Sequence, residues 1–143
     1  MDVAWGLVTV VLGSIAWLGQ VVAWLAPGTA VRLTLMEAEV DVEPVYWADI
    51  RGEAQWDALI LWTLPLAGLL LLLGERWWTV FGLVGGGTFL YFAGRGIVTR
   101  RIYGAQGFRI GAPHSVRIGY AFLLIWGAVA LVTIVAAAAS LMA

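Results

Sequence analysis

Seven carboxylates fall within one short stretch of this chain. Glu37, Glu39, Asp41 and Glu43 alternate with Ala38, Val40 and Val42 in "MEAEVDVEP", and Asp49, Glu53 and Asp57 follow at four-residue spacing. Carboxylates can ligate a metal, exchange a proton or pair with a cation. A calcium loop would need the order D-x-[DN]-x-[DN]-G, which is absent. Extended chain would also hold the four alternating carboxylates about 6–7 Å apart, too far for one compact cage. The reading is therefore no metal site. With no cysteine in the chain, thiolate catalysis and cysteine-ligated metals are excluded as well. No G-x-S-x-G elbow, HExxH or phosphate loop is present, so no catalytic residue and no cofactor is assigned.

The basic residues offer a simpler use for the acids. Residues 27–57 hold seven carboxylates against two arginines, a net of −5. Residues 95–117 hold Arg95, Arg100, Arg101, Arg109 and Arg117 and no acid, a net of +5. If the two segments meet, their charges attract with only partial screening. The expectation is a clamp in which Glu37, Glu39, Asp41 and Glu43 face Arg109 and Arg117. Period two would place these four carboxylates on one side of an extended strap and Ala38, Val40 and Val42 on the other. Asp49, Glu53 and Asp57 share one face of a helix begun at Pro44.

A second group of residues is assigned to a ligand or a lipid headgroup: Arg95, Arg100, Arg101 and Asp57. Clusters of arginine beside a membrane attract anionic headgroups at about 1 kcal/mol per charge. Arg95, in "YFAGRGIV", is the one basic residue inside an apolar stretch. Snorkelling to the interface accounts for it, whereas a buried acid partner such as Asp57 would mark a working site. His114 stands alone as the only histidine, and a lone loop histidine reads as a polar surface residue.

The elements that must position these groups are apolar. The chain is 62% hydrophobic and 12% charged, with a mean hydropathy of +0.93, against about 25% charged in a soluble domain. A bilayer core of about 30 Å needs roughly 20 apolar residues in a helix. Four stretches qualify, at about 3–26, 58–74, 77–98 and 118–141. The intervening loops are acidic (27–57) and basic (99–117). "MDVAW" lacks the positive start of a signal peptide, so the first stretch is read as a span. Pro27 and Gly28 should end that span, and Pro65 should kink the second. Gly82, Gly85 and Gly86 give the third a smooth face for helix packing, either within the bundle or against a second copy. The nine tryptophans serve as interface anchors and packing groups.

The fold class expected is all-α, an integral membrane four-helix transmembrane bundle in one domain, 1–143. Seven arginines flank one face and Arg76 alone the other. The positive-inside rule puts both larger loops in the cytoplasm and both termini outside, in a prokaryotic inner or plasma membrane. Membrane lipids are the expected partners, with a homo-oligomer as a further one and nucleic acid excluded. For function the leading reading is a structural or accessory membrane subunit. The alternatives are a small oligomeric transporter or channel, and a lipid-binding protein or membrane enzyme with a site at the cytoplasmic loop face. A flat, charge-paired face favours the first. A deep polar pocket at that end favours a site-bearing protein.

Overall fold

The computed structural model describes residues 2–142. Within them the chain is all-α, with four helical segments long and apolar enough to cross a membrane: Val3–Leu25, Pro44–Leu72, Trp78–Ala105 and Pro113–Met142. The helices are α1 (Asp2–Leu25), α2 (Pro27–Arg32), α3 (Pro44–Ile60), α4 (Thr63–Leu72), α5 (Trp78–Ala105) and α6 (Pro113–Met142). A single 3-10 turn spans Glu39–Asp41.

Prolines set the element starts. Pro27 does more than end the first span. It occupies the first turn of α2, where its missing N–H leaves no bond unmade. The residue before a proline is pushed out of the helical region, and Ala26, at φ −140° and ψ 63°, separates the two helices. Pro44 and Pro113 open α3 and α6 in the same way. The third apolar stretch continues as helix to Ala105, so Arg100 and Arg101 stand on α5 rather than in a loop.

α5 is the central element. It packs most extensively on α6 and then on α4, and α4 in turn packs on α1. In lipid this packing rests on close van der Waals fit, because the solvent is as apolar as leucine. Small residues permit the fit. A Cβ at Gly85 would lie 2.6 Å from the Leu64 backbone nitrogen and 2.8 Å from the Thr63 carbonyl carbon. A Cβ at Gly86 would lie 2.5 Å from Ile134, and one at Gly82 would lie 3.0 Å from Ala137. Gly85 thus faces α4, while Gly82 and Gly86 face α6. Leu61, Leu64, Phe89, Phe92, Leu123 and Ala130 fill the core between them. The Trp126 indole donates to the Leu12 carbonyl at 3.0 Å, tying α6 to α1.

α3 behaves differently. It leans on α1 but meets α5 only sparsely. α4 and α5 are therefore in close contact in one half of the bundle, and α3 and α5 diverge in the other.

The glycine contacts generate a paired test. Gly85→Ala forces a methyl against backbone that cannot swing aside, and should destabilise the protein by about 1–3 kcal/mol. Gly87, with nothing within 4 Å of a Cβ, should tolerate alanine and gain up to about 1 kcal/mol of helix propensity. Thermal melts of the two variants in detergent check this.

Candidate functional site

The second crossing is a broken helix, and the break fixes the site. Pro65 has no N–H for the Leu61 carbonyl, and its ring crowds that carbonyl. Regular helix stops at Ile60 and resumes at Thr63. Polar backbone freed in hydrocarbon costs several kcal/mol unless it is paired. Side chains pair three carbonyls just before the break, those of Ala58, Leu59 and Ile60. The Trp17 indole of α1 donates to the Ala58 carbonyl at 2.9 Å, and the Trp62 indole donates to the Leu59 carbonyl at 2.8 Å. The Thr63 hydroxyl donates to the Ile60 carbonyl at 2.9 Å. The Thr63 and Thr88 hydroxyls lie 3.3 Å apart across the α4–α5 contact. Gly13 of α1 leaves room for the proline ring, since a Cβ there would lie 2.8 Å from Pro65 Cδ.

Beyond the break, α3 turns its acidic face toward α5. Arg95 Nη2 donates to Asp49 Oδ1 at 2.8 Å, and Arg95 Nη1 lies 2.7 Å from Glu53 Oε1. One guanidinium therefore bridges two carboxylates one helical turn apart, where the helices have begun to separate. Arg95 lies about 25 Å along α5 from Trp78 at 1.5 Å per residue. Such a position is near the far edge of a hydrocarbon core of about 30 Å.

Asp57 lies one turn further toward the break and is left out of the bridge. Its side chain is 2% exposed, and its Oδ2 has no hydrogen-bond partner among the described residues. Asp49 Oδ2 is likewise buried without a partner. These groups line a cleft of about 310 Å³ between α3 and α5, together with Gly52, Trp56, Tyr91 and Arg95. Three carboxyl groups face one guanidinium there, so the acids outnumber the base. Among the described residues, no three histidine, cysteine, aspartate or glutamate side chains converge closely enough to hold a metal ion.

The two loops meet, through fewer residues than the alternating pattern suggests. Val42 and Ile110 form an isolated antiparallel bridge, and the Glu43 N–H donates to the Arg109 carbonyl at 2.9 Å. Arg109 Nε donates to Glu43 Oε1 at 3.1 Å, and its other nitrogens donate to the Val40 and Val42 carbonyls at 3.1 and 3.4 Å. Glu39, Asp41 and Arg117 form no ion pair among the described residues. The 3-10 turn at Glu39–Asp41 interrupts the alternation. It sends Val40 outward at 79% exposure and buries Val42 at 2%, so the apolar residues of the strap do not share a face.

Glu37 packs against Gly111, whose φ of +121° and contact with the Glu37 carboxyl leave no room for a side chain. Burial pushes the Glu37 carboxyl above its ordinary 4.5, the positive Arg100 pulls it partly back, and Asp41 raises it further. Arg100 also donates to the Gly96 carbonyl at 3.2 Å. Arg101, Arg117 and His114 are exposed. Of the four residues assigned to a ligand or headgroup, Arg95 and Asp57 line the cleft and Arg100 and Arg101 do not.

The four-residue spacing puts Asp49, Glu53 and Asp57 on one face, and Asp57 is the partner expected for Arg95. The guanidinium goes instead to Asp49 and Glu53. Tyr91 and Trp56 were not singled out as site residues, because an aromatic residue near a span end carries the same signal whether it anchors the helix or lines a cleft.

No family model matches this chain, and neither the curated proteins nor the solved structures contain a match.

Two predictions follow from this geometry. Removing one partner from a half-buried charge cluster strands the others, so Arg95→Gln should cost about 1–3 kcal/mol, less than a fully buried pair would. Adding Asp49→Asn and Glu53→Gln to it should recover most of that loss in thermal melts. Glu37 holds its proton more tightly folded than unfolded, so its contribution favours the fold below about pH 4.5 and is lost as pH rises through the elevated folded value. The stability of Glu37→Gln relative to the parent should therefore improve as pH rises from about 4.5 through the elevated folded value and then level off.

Proposed function

We propose that this is a small integral membrane protein that binds a positively charged ligand in the α3–α5 cleft, in the service of transport. One observation carries the reading: Asp57 is buried, has an unpartnered oxygen, and lines a cleft whose only guanidinium is already engaged by two other carboxylates. A buried carboxyl group without a partner gains from a cationic one. Ionisable groups at membrane depth commonly mark ion or substrate paths.

The broken second crossing supports the same reading. Discontinuous helices with satisfied breaks border the binding sites of many transporters, and Asp57 stands one turn before this one. A purely accessory subunit would favour a flat, charge-paired face, and the cleft argues against that. The arginine distribution favours an orientation with the cleft in the cytoplasmic half of the membrane and both termini outside. Arg101 and Arg117, exposed at that margin, are suited to anionic lipid headgroups.

The test is a thermal-stability titration of the detergent-purified protein with sodium, potassium, magnesium, calcium and alkylammonium salts at matched ionic strength. A ligand present at about 100 times its Kd stabilises the folded state by about 2.7 kcal/mol. A saturable rise in Tm with at least one cation, lost in Asp57→Asn, is the expected result. No rise with any of them, or the same rise in Asp57→Asn, would contradict the proposal.

A further inference from the structure

The lining of the cleft narrows the class of cation. We infer that its ligand is an amphiphilic organic ammonium, which enters sideways from the bilayer, places its charged nitrogen at Asp57 and lays its apolar body against Trp56 and Tyr91. This rests on the cation-binding reading above and specifies it.

Four observations carry the inference. The first is the carboxylate geometry. Asp49 and Glu53 are engaged by Arg95, and no three acidic or histidine side chains among the described residues converge on one point. A hard inorganic cation needs about six oxygen ligands, and the cleft has one disengaged carboxylate to offer. An ammonium needs far less. One charge-assisted hydrogen bond to Asp57 Oδ2 satisfies both groups.

The second is size. A volume of about 310 Å³ lies at the lower end of the range for small organic ligands. It is far larger than a single bare ion requires.

The third is the aromatic pair. Trp56 directly precedes Asp57 on α3, and Tyr91 lies one turn before Arg95 on α5, so the two aromatics come from opposite walls of the same cleft. Aromatic faces attract organic cations, tryptophan most strongly. A cation held near these rings and a carboxylate is bound by both charge and quadrupole.

The fourth is access. Trp56 is 58% exposed and Tyr91 57% exposed, although Asp57 beneath them is buried. Both rings therefore lie on the outer surface of the bundle, which faces lipid at this depth. Gly52 leaves the α3 wall low, with open space where a Cβ would stand, and α3 and α5 barely touch. The mouth of the cleft opens sideways, toward the zone where amphiphilic cations collect among the headgroups.

The experiment is equilibrium binding of 2-phenylethylammonium to the detergent-purified protein, followed by Tm and by tryptophan fluorescence. The neutral 2-phenylethanol, sodium chloride and magnesium chloride serve as comparison ligands. The expected result is saturable binding of the ammonium, at least tenfold tighter than the neutral alcohol. It should be lost in Asp57→Asn and retained in Asp57→Glu. Tyr91→Ala, on the lipid-facing rim, should weaken it several-fold, as loss of one cation–π partner does. That variant remains informative if Asp57→Asn does not fold.

Equal affinity for the alcohol and the ammonium would overturn the inference, as would a Tyr91→Ala variant that binds like the parent. An Asp57-dependent response to sodium or magnesium with none to 2-phenylethylammonium would sink the organic class and leave the cation site standing. Absence of any Asp57-dependent response would sink both.

Discussion

The structure depends on one guanidinium shared between two carboxylates, with a third carboxyl group left over. Arg95 is shared between Asp49 and Glu53 across the opening between α3 and α5, and a third carboxylate remains beneath it. The bridge spans the cleft where the helices meet only sparsely, so Asp57, although buried, lines that cleft. Had α3 packed on α5 as α4 does, Asp57 would be enclosed in hydrocarbon with no route to it. The open cleft is what makes a third carboxylate tolerable there.

The helix break gives the cleft its shape. Pro65 ends regular hydrogen bonding around Leu61, and the Ala58, Leu59 and Ile60 carbonyls before it are met by Trp17, Trp62 and Thr63. Trp17 reaches in from α1, while Trp62 and Thr63 stand at the break itself, so the break is built in rather than frayed. On one side, α4 lies against Gly85 with no space between backbones. On the other, α3 is set on a separate path toward α1. The loop strap completes the arrangement. Arg109 and the Val42–Ile110 bridge join the acidic and basic loops at the open end of the bundle, holding the start of α3 in place.

Much of this architecture was legible in the residues. The apolar runs placed four crossings, because a helix in lipid must be long and continuously apolar. Pro65 announced the weak point of the second. The four-residue spacing of Asp49, Glu53 and Asp57 gave them one face before any contact was known. Other features were hidden for physical reasons. The period-two run in "MEAEVDVEP" suggested an extended strap, but the pull of Arg109 on two backbone carbonyls and the burial of Val42 favour a tight turn. Arginines 100 and 101 looked like loop residues because hydropathy falls there, yet long side chains let a helix continue past the membrane boundary. Which acid Arg95 would choose depends on how far α3 diverges from α5, and no local pattern encodes that distance.

The central claim is that the Asp57 carboxyl is the group that meets an incoming cation. Infrared difference spectroscopy on the reconstituted protein tests it most directly, by following carboxyl bands as 2-phenylethylammonium is added and removed, with Asp57→Asn assigning the band. The account predicts a ligand-induced change in a carboxyl band that is missing from Asp57→Asn and present in Glu37→Gln. Binding that leaves every carboxyl band unchanged, or changes one that persists in Asp57→Asn, would contradict it.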